Sequence, residues 1–410
     1  MKPLPPHLLR FLRKNDIDIK WFSKQAIESQ RIPRFVWLPS LPPVLWNGYA
    51  SDEKVQSSKT NAEAFLLANS GYRVDWTKNN LWAVPQHRTL SRHEMYKKGQ
   101  MFGIDAASIF SVDILDPKPG DDILDLCCAP GAKLAVIADR MNHEGKLVGI
   151  DNCFKRLDVS TGIAKSLRLG SSHNDWSFSI CHLDGAEMKD EMPIENIRWD
   201  HFSDVAYFRN SALPSSENEL KVPRARNSKR FNQYIENCRH PISMLFDKVI
   251  VDTQCTHEGS IRHILKHLDA DDSHWSPNIL ESLFEQWCEE AENLAQLQRK
   301  LIAKGFERLK PGGTLVYSTC SFCQSQNENI VQWLLSTHSA VLDPLVVSTS
   351  HSDTIEQRHR SSSVSGRSST ILPGTVYLDP IHSGTSGLFV ARITKPYNIQ
   401  KGDLTCNGLP

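Results

Sequence analysis

The chain has 410 residues, 40% of them hydrophobic, and its 47 basic residues balance 47 acidic ones. This length allows two domains with a sizeable core, and the zero net charge excludes a general electrostatic attraction to nucleic acid, so a nucleic-acid partner would need a local basic surface. No apolar run is long enough to cross a bilayer, which argues against a membrane-spanning protein.

Cysteine usage and the N-terminus bear on the compartment. The ten cysteines lack the spacing of a disulfide framework, and prolines and arginines interrupt the first apolar residues, so no secretory signal is recognised. We therefore expect a soluble, monomeric protein with free thiols in a reducing compartment, the nucleus or the cytoplasm. A mitochondrial location stays open, although Asp16 and Asp18 weaken a transit-peptide interpretation.

Residues 1–99 are predicted to form a helical lead-in and a small α+β domain. An amphipathic segment covers residues 8–22, and a strand at 34–38, a helix at 61–69 and strands at 71–76 and 81–84 follow. Such a β-α-β-β unit with exposed aromatic side chains suits an RNA-binding platform. A structural lid packed on the main domain fits the same pattern equally well.

Residues 100–400 are predicted to form an α/β domain with a mostly parallel sheet, because strands alternate with helices. The predicted strands are 122–127, 147–151, 178–184, 248–252 and 315–318, with a late strand at 387–393 that closes the sheet. The predicted helices are 132–141, 156–169, 279–309 and 328–335.

Two insertions interrupt this alternation. Residues 189–245 mix arginines and lysines with Phe231 and Tyr234, a composition that suits phosphate contacts and base stacking, although a solvated loop is the commoner outcome for a charge run. The basic residues are Lys221, Arg224, Arg226, Lys229, Arg230 and Arg239. Residues 346–371 are rich in Ser, Thr, His and Arg, and we expect them to be disordered.

Carboxylates follow three successive predicted strands. Asp125 opens a loop of small residues that leads into a helix, where backbone N–H groups and the helix N-terminus can approach a ligand. The carboxylate of Asp151 could accept hydrogen bonds from two ribose hydroxyls, and Asp184 lies where an adenine amino group could bind. Each Asp alone could be a helix cap. Together they predict a nucleoside pocket, and the loop is neither GxGxxG nor a Walker loop, which argues against NAD and ATP.

Thiols follow the next two predicted strands. Cys320 ends the strand of Gly313-Thr-Leu-Val-Tyr-Ser-Thr-Cys-Ser-Phe-Cys323, and Cys255 follows Asp252 in Asp252-Thr-Gln-Cys-Thr-His-Glu-Gly259. Taken alone, such a cysteine is more often a buried structural residue. If the two strands are neighbours, however, Asp252 and both thiols converge beside the nucleoside pocket.

These motifs resemble those of the RsmB/Nop2/Sun family of RNA cytosine-C5 methyltransferases, which use S-adenosylmethionine. The family loop D-L-C-A-A-P-G-G-K corresponds to Asp125–Lys133, D-A-P-C-S-G to Asp252–His257, and S-T-C-S with a following N-E pair to Ser318–Ser321 with Asn327-Glu328. The segment 102–108 and the closing strand 387–391 are similar to further family motifs, and the resemblance runs from about residue 34 to 395.

The resemblance implies a Rossmann-like class I methyltransferase sheet, mostly parallel with one late antiparallel strand, and a role for each site residue. Cys320 would be the nucleophile that adds to cytosine C6, and Cys255 would assist release of the product. The residues implied to hold S-adenosylmethionine are Cys127, Cys128, Ala129, Pro130, Gly131, Ala132, Lys133, Asp151, Arg156, Asp184 and Asp252. The substrate would be an unstacked cytosine in tRNA or rRNA, with the compact chain slightly favouring tRNA. No metal is expected.

The sequence also departs from the family. Cys128 and Ala132 replace small residues of the loop, Thr253-Gln254 replaces Ala-Pro before the second thiol, and His257 stands where the motif has glycine. His257 suits a proton shuttle, although a surface histidine is the simpler interpretation.

Three alternatives stay open. A redox role would use Cys320-Ser-Phe-Cys323 as a C-x-x-C pair, which leaves the carboxylates without a function. A zinc site would combine Cys127-Cys128, Cys255-x-His257 and that pair, although the spacing fits no common zinc motif. A non-catalytic RNA-binding relative would keep the fold and methylate slowly or not at all.

Overall fold

A computed structural model describes residues 6–14, 17, 19, 32–40, 52–85, 90, 92–167, 169, 176–188, 197–200, 205–209, 245–260, 277–348, 354–364, 366–379 and 382–397. Every helix in these ranges is too short or too polar to traverse a lipid bilayer.

The N-terminal part holds helix α1 and a small four-stranded sheet. Its elements are α1 Pro6–Lys14, β1 Arg34–Trp37, α2 Asp52–Ala68, β2 Tyr72–Arg73, β3 Leu81–Val84, α3 Glu94–Lys97 and β4 Phe102–Gly103. The strand order is β2-β3-β1-β4, and every pairing is antiparallel. Ala62 and Leu66 of α2 pack against Val36 and Trp82 of the sheet.

The predicted β-α-β-β order is therefore present, but the strand aromatics Phe35, Trp37 and Trp82 are buried rather than exposed as expected. The bounds of the elements differ in two places. Helix α2 begins at Asp52, well before the predicted start, and β4 lies beyond the predicted domain boundary at residue 99.

The rest of the described chain forms one large sheet flanked by helices. Its strands are β5 Asp122–Asp125, β6 Gly145–Asp151, β7 Trp176–His182, β8 Ile197–Asp200, β9 Val205–Arg209, β10 Phe246–Asp252, β11 Leu309–Thr319, β12 Val341–Asp343, β13 Arg367–Ser368, β14 Val376–Leu378 and β15 Leu388–Thr394. Its helices are α4 Ala106–Leu115, α5 Ala132–Arg140, α6 Phe154–Ser166, α7 Pro277–Glu307, α8 Glu328–Thr337 and α9 Ile355–His359.

The sheet runs in the order β13-β14-β15-β11-β10-β5-β6-β7-β9-β8, and β12 also pairs with β15. Neighbouring strands from β11 to β9 are parallel, and β15 runs antiparallel to β11, which confirms a mostly parallel Rossmann-like sheet with a late antiparallel strand. The antiparallel part is larger than predicted, because β12, β13, β14 and β8 also pair antiparallel with their neighbours.

Side chains of the central strands alternate between two apolar layers, as a sheet covered on both faces requires. Ile250 of β10 packs into the layer that contains α4, α5 and α6, whereas Val249 and Val251 face the layer of α1, α7 and α8. The chain order reverses direction between β5 and β10, and ligands of open α/β sheets bind at such a switch point, at the carboxyl ends of the strands.

The two predicted insertions differ in what the structure describes. Most of 189–245, including all of its predicted basic and aromatic residues, lies outside the described residues. The prediction of disorder for 346–371 is wrong where the structure describes it. Helix α9 has a capping box at Thr354 and Gln357, and His359 at its end is fully buried.

His359 joins the two sheets. Its Nδ1 lies 2.9 Å from the Tyr72 hydroxyl, its ring stacks on the tyrosine, and its carbonyl accepts the N–H of Asp75 at 2.7 Å. Burial lowers the pKa of His359 to about 4, so the ring is neutral near pH 7. The hydrogen bond between Tyr72 and His359 is thus made by neutral groups.

Candidate active site

Strands β10 and β11 are parallel neighbours, which brings the two predicted thiols together. Asp252 at the end of β10 pairs with Ser318 of β11. The chain then continues from Ser318 to Cys320 and from Asp252 to Cys255, and the two sulfur atoms lie 3.3 Å apart. Cys255 is buried, whereas Cys320 is half-buried and lines a cavity.

The loops that carry the thiols are tied to each other. Glu258 is fully buried, and its Oε1 accepts the N–H groups of Phe322 at 2.7 Å and of Cys323 at 3.2 Å. Gly259 donates its N–H to the Cys320 carbonyl at 2.8 Å. A Cβ on Gly259 would lie 2.4 Å from that carbonyl oxygen, so this close approach requires glycine.

A network of glutamines holds the segment in which Thr253-Gln254 replaces the Ala-Pro of the motif. Gln298 of α7 donates to the Gln254 carbonyl at 2.8 Å and to Oε1 of Gln326 at 3.2 Å. Gln326 in turn accepts the N–H of Thr256 at 3.2 Å and donates to its hydroxyl at 2.8 Å. Hydrogen bonds therefore fix the turn that a proline ring would otherwise make rigid.

The two thiols have opposite acidities. The hydrogen bond from Cys255, together with a hydrogen bond and the charge of His257, lowers the pKa of Cys320 to about 5 in spite of its burial. Burial and the neighbouring Cys320 sulfur raise the pKa of Cys255 well above its usual value. Cys320 is accordingly the thiolate near pH 7, and Cys255 is the thiol that donates to it.

His257 completes this group. Its Nδ1 lies 3.0 Å from the Cys320 sulfur and 3.7 Å from that of Cys255. The hydrogen bond to Cys320 is the largest cause that raises the pKa of His257 above its usual value. His257 is exposed, as the simpler interpretation of a surface histidine expects, and its ring also contacts the candidate nucleophile directly.

The loop from Cys127 to Lys133 leads from β5 into α5, as predicted. Gly131 has φ of 98°, and a Cβ there would lie 2.8 Å from the Cα of Ser160, so the turn requires glycine. Burial raises the pKa values of Cys127 and Cys128 well above their usual range, so both stay protonated. Arg156 of α6 donates to the carbonyl of Ala129 and so braces the loop from the next helix.

The three strand-end aspartates each accept the backbone N–H group two residues further along the chain. The acceptors and donors are Asp125 with Cys127 at 3.1 Å, Asp151 with Cys153 at 2.9 Å and Asp184 with Ala186 at 2.9 Å. The second oxygen of Asp151 also accepts the N–H of Ala129 at 3.1 Å. The second oxygen of Asp125 is buried and has no hydrogen-bond partner among the described residues. These aspartates therefore do cap local turns, and Asp151 and Asp184 line the cavity as well.

Asp252 is paired with Lys133 across the site. The distance between Lys133 Nζ and Asp252 Oδ2 is 2.5 Å, and the Ser318 hydroxyl donates to Oδ1 at 2.8 Å. Burial alone would lower the pKa of Lys133, but the Asp252 carboxylate raises it above its usual value. The pair links the cofactor-type loop to the strand that carries Cys255.

A cavity of about 900 Å³ opens at this edge of the sheet. Its wall contains Cys320, His257 and all of the predicted cofactor-binding residues: Cys127, Cys128, Ala129, Pro130, Gly131, Ala132, Lys133, Asp151, Arg156, Asp184 and Asp252. Cys255 lies behind Cys320, outside the lining. Gly103 of the small sheet also lines the cavity, so both sheets contribute to it.

The geometry weakens the two chemical alternatives. The Cys323 sulfur donates to Glu258 at 3.1 Å, and the sulfur beside Cys320 is that of Cys255, so Cys320 and Cys323 do not form a redox pair. The ligand atoms of Cys255, His257 and Cys320 lie within 4.8 Å of one another, which a metal ion could use. A hydrogen-bonded trio has the same spacing, and structural zinc sites take four protein ligands, so we interpret the trio as a hydrogen-bond network.

Glu258 and the glutamine network carried no recognisable signal in the sequence, since their contacts join segments far apart in the chain. The signal for His257 was present, because histidine stands at the position of the motif's glycine.

Solved structures of other proteins are similar to this fold. A solved structure of a methyltransferase homolog protein from Pyrococcus horikoshii has a TM-score of 0.54 and 20% identity, and the likeness covers 96% of this chain and 100% of that chain. This likeness shows the fold.

Curated relatives are similar over most of the chain. Ribosomal RNA small subunit methyltransferase F of Shewanella sp. (strain ANA-3) is 24% identical over 357 residues, which are 85% of this chain and 57% of the relative. The protein of the same name from Escherichia coli O6:H1 is 26% identical over 299 residues, 70% of this chain and 48% of the relative. The chain thus spans about half the length of these relatives.

A family profile gives the assignment. Residues 112–200 and 209–394 match the family described as 16S rRNA methyltransferase RsmB/F. The matched ranges contain both thiols and all of the predicted cofactor-binding residues, and they confirm the predicted family, a methyltransferase family for which the motifs implied S-adenosylmethionine as methyl donor. With more than half of its length matched, the chain belongs to the 16S rRNA methyltransferase RsmB/F family.

Proposed function

We propose that this chain transfers a methyl group from S-adenosylmethionine to C5 of a cytosine in RNA, with Cys320 as the nucleophile. The observation that carries the proposal is the pair of sulfur atoms 3.3 Å apart. The acidic thiol, Cys320, lies on the wall of a cavity that also contains Asp252, and the thiol of raised pKa, Cys255, lies directly behind it.

The residues of the cavity suit an adenosyl cofactor. The volume of about 900 Å³ lies within the usual range for ligand sites. The unpartnered oxygen of Asp125 lies buried behind this wall, and the start of α5 presents backbone N–H groups that suit an anionic ligand group. Asp151 and Asp184 lie on the same wall and would accept hydrogen bonds from ribose hydroxyls and an adenine amino group. When bound, the cofactor would supply an electrophilic methyl group.

The thiols match the needs of cytosine chemistry. C5 of cytosine is a weak nucleophile, and addition of the Cys320 thiolate to C6 would make C5 electron-rich, since the ring then resembles an enamine. After methylation, the C5 proton must leave before the bond from C6 to sulfur can break. Cys255, adjacent to that sulfur, would release its own proton to solvent and then, as a thiolate, accept the C5 proton or assist the elimination. Asp252, already ion-paired with Lys133, would hydrogen-bond the N3/N4 edge of the base.

The proposed substrate is an unpaired cytosine in ribosomal RNA of the small subunit. The curated relatives are named as ribosomal RNA small subunit methyltransferases, which supports rRNA as the substrate. The compactness of the chain, taken alone, slightly favours tRNA. The base would have to leave its stack to reach the cavity, so a loop or single strand is the preferred context. The small sheet, which supplies Gly103 to the cavity wall, is proposed as the RNA-binding platform.

The second candidate function is RNA binding without methyl transfer. The observation that favours it is the replacement of the motif's Ala-Pro by Thr253-Gln254. The structure gives this candidate little support, since Gln298 and Gln326 hold the replaced turn and the thiol that follows it is in contact with Cys320.

The test uses the full chain with S-adenosylmethionine and ribosomal RNA, read out by methyl incorporation and bisulfite sequencing. We expect Cys320→Ala to abolish transfer and Cys255→Ala to accumulate a protein–RNA adduct that survives denaturation. Cys181→Ala, which removes a buried thiol from β7 away from the cavity, controls for the loss of a sulfur atom.

An active Cys320→Ala variant would rule out the covalent mechanism. Failure of the wild-type chain to bind S-adenosylmethionine, with RNA binding intact, would favour the non-catalytic candidate. Bisulfite sequencing of cellular RNA with and without the protein would identify the target.

A further inference from the structure

The side chain of His257 contacts the reacting sulfur, and the two-thiol chemistry alone gives it no role. We propose that His257 is a third catalytic residue, whose protonated imidazole holds Cys320 as a thiolate before addition to the base and receives the thiolate again at elimination. The inference rests on the proposed function and adds a residue to it.

Two donors converge on one sulfur atom. The Cys320 sulfur has Nδ1 of His257 at 3.0 Å and the sulfur of Cys255 at 3.3 Å, both within hydrogen-bond distance for sulfur. A thiolate only accepts hydrogen bonds, so two donors stabilise it more than they stabilise a thiol. The Cys255 thiol is a neutral donor, whereas the imidazole of His257 can carry a positive charge.

The surrounding charges favour a protonated ring. Besides Cys320, the carboxylates of Glu258 and Asp252 face His257, and both raise its pKa. Lys133 is also close enough to interact with the Cys320 sulfur, but its charge is compensated by the ion pair with Asp252. An imidazolium beside a thiolate is therefore the expected resting state near pH 7.

The backbone at His257 supports a functional rather than incidental position. Its φ is 59°, in the left-handed region that favours glycine, and the related motif has glycine at this position. A non-glycine residue in this conformation is strained, and such residues cluster at functional sites. The neighbouring Glu258 and Gly259 fix the turn by their bonds to the Cys320 loop. The chain thus keeps the conformation of glycine while it presents an imidazole to the nucleophile.

The step balances without transfer of the imidazole proton. A lone pair of the Cys320 sulfur forms the bond to C6, and the ring electrons move toward N3. The sulfur then carries no charge, and His257 keeps its proton. At elimination Cys255 first releases its own proton to solvent, and its thiolate then takes the C5 proton. The double bond re-forms, and the electron pair of the broken bond returns to the Cys320 sulfur. His257 stabilises the same anion at both ends of the sequence.

The test measures the acidity of Cys320 directly. The full-length protein, without RNA or methyl donor, is alkylated with iodoacetamide across a pH series, and modification of the Cys320 peptide is quantified by mass spectrometry. We compare the wild type with His257→Asn and His257→Gly. Asparagine and glycine both tolerate the left-handed conformation, so these variants remove the charge and leave the turn intact. His338→Asn, outside the cavity wall, is the control.

We expect the alkylation midpoint of the wild type near pH 5, as the pKa of Cys320 indicates. In both His257 variants the alkylation midpoint should rise by at least about one pH unit. For each unit of this rise, the thiolate fraction at pH values well below the midpoint falls about tenfold. In methyl-transfer assays the acidic limb of kcat should move upward by the same amount, with KM for RNA unchanged.

An unchanged alkylation midpoint in both variants would overturn the inference. So would stoichiometric zinc that co-purifies with the wild type and is lost from His257→Asn, because the trio would then be a metal centre. The alkylation assay needs neither RNA nor methyl donor, so a failure of methyl transfer alone would refute the proposed function without altering this result.

Discussion

Replacement of Asp125 by asparagine should stabilise the protein at neutral and alkaline pH. Asp125 is 1% exposed, and one of its oxygens has no partner among the described residues. Burial raises its pKa from 3.8 to about 7. The folded state therefore binds more protons than the unfolded state between about pH 4 and pH 7, and stability falls as pH rises through this window.

The size of the effect follows from the pKa shift. At about 1.36 kcal/mol per pKa unit, the rise of the Asp125 pKa to about 7 costs on the order of 4 kcal/mol once the carboxylate is charged. Asparagine imitates the protonated acid, and its oxygen can still accept the N–H of Cys127. The variant and the wild type should therefore be equally stable near about pH 4 and diverge up to about pH 7, with the variant the more stable.

The measurement is the free energy of unfolding in urea across a pH series. Asp158→Asn changes an exposed carboxylate on α6 and should leave the pH dependence unaltered. If the unfolding free energies of Asp125→Asn and the wild type change with pH in parallel, the buried carboxylate does not destabilise the folded state. The conclusion that its burial raises its pKa is then refuted.

Two further outcomes are expected. Glu258→Ala leaves the buried N–H of Phe322 without an acceptor and removes one of the two acceptors of the Cys323 N–H, which should lower the free energy of unfolding by about 3 kcal/mol. The half-exposed Glu307→Ala should change it by less than about 0.5 kcal/mol, and equal effects in urea unfolding would contradict the anchoring role of Glu258. Mild oxidation should link Cys255 to Cys320, whose sulfurs are 3.3 Å apart, and abolish iodoacetamide labelling until a thiol reductant is added; peptide mapping that finds no such cross-link would contradict the geometry.

The catalytic half of the fold was predictable because its signals are local. Three of the parallel strands, β5, β6 and β10, are short runs that end at Asp125, Asp151 and Asp252, and the parallel arrangement follows from the alternation with helices. The carboxyl ends of parallel strands lie on one edge, so the contact between Cys255 and Cys320 follows once β10 and β11 are neighbours.

Other features depend on contacts that composition does not reveal. The polar composition of 346–371 suggested disorder, yet His359 is buried by the small sheet, a tertiary contact. A local signal did exist there, since Thr354 and Gln357 have the spacing of a capping box. The hydrogen bond from His257 to Cys320 required the left-handed turn, which sequence periodicity does not report.

The contact between Tyr72 and His359 also bears on the order in which parts of the chain fold during synthesis. The two residues are separated by 287 positions, and the small sheet is complete by Gly103. During synthesis the small sheet can first pack on α4 and α5, through Trp76 with Phe110 and Ser40 with Asp139, but its contact with His359 can form only after α9 has been made. The cavity wall is completed later still, because Ser386, Gly387 and Leu388 at the start of β15 line it together with Gly103.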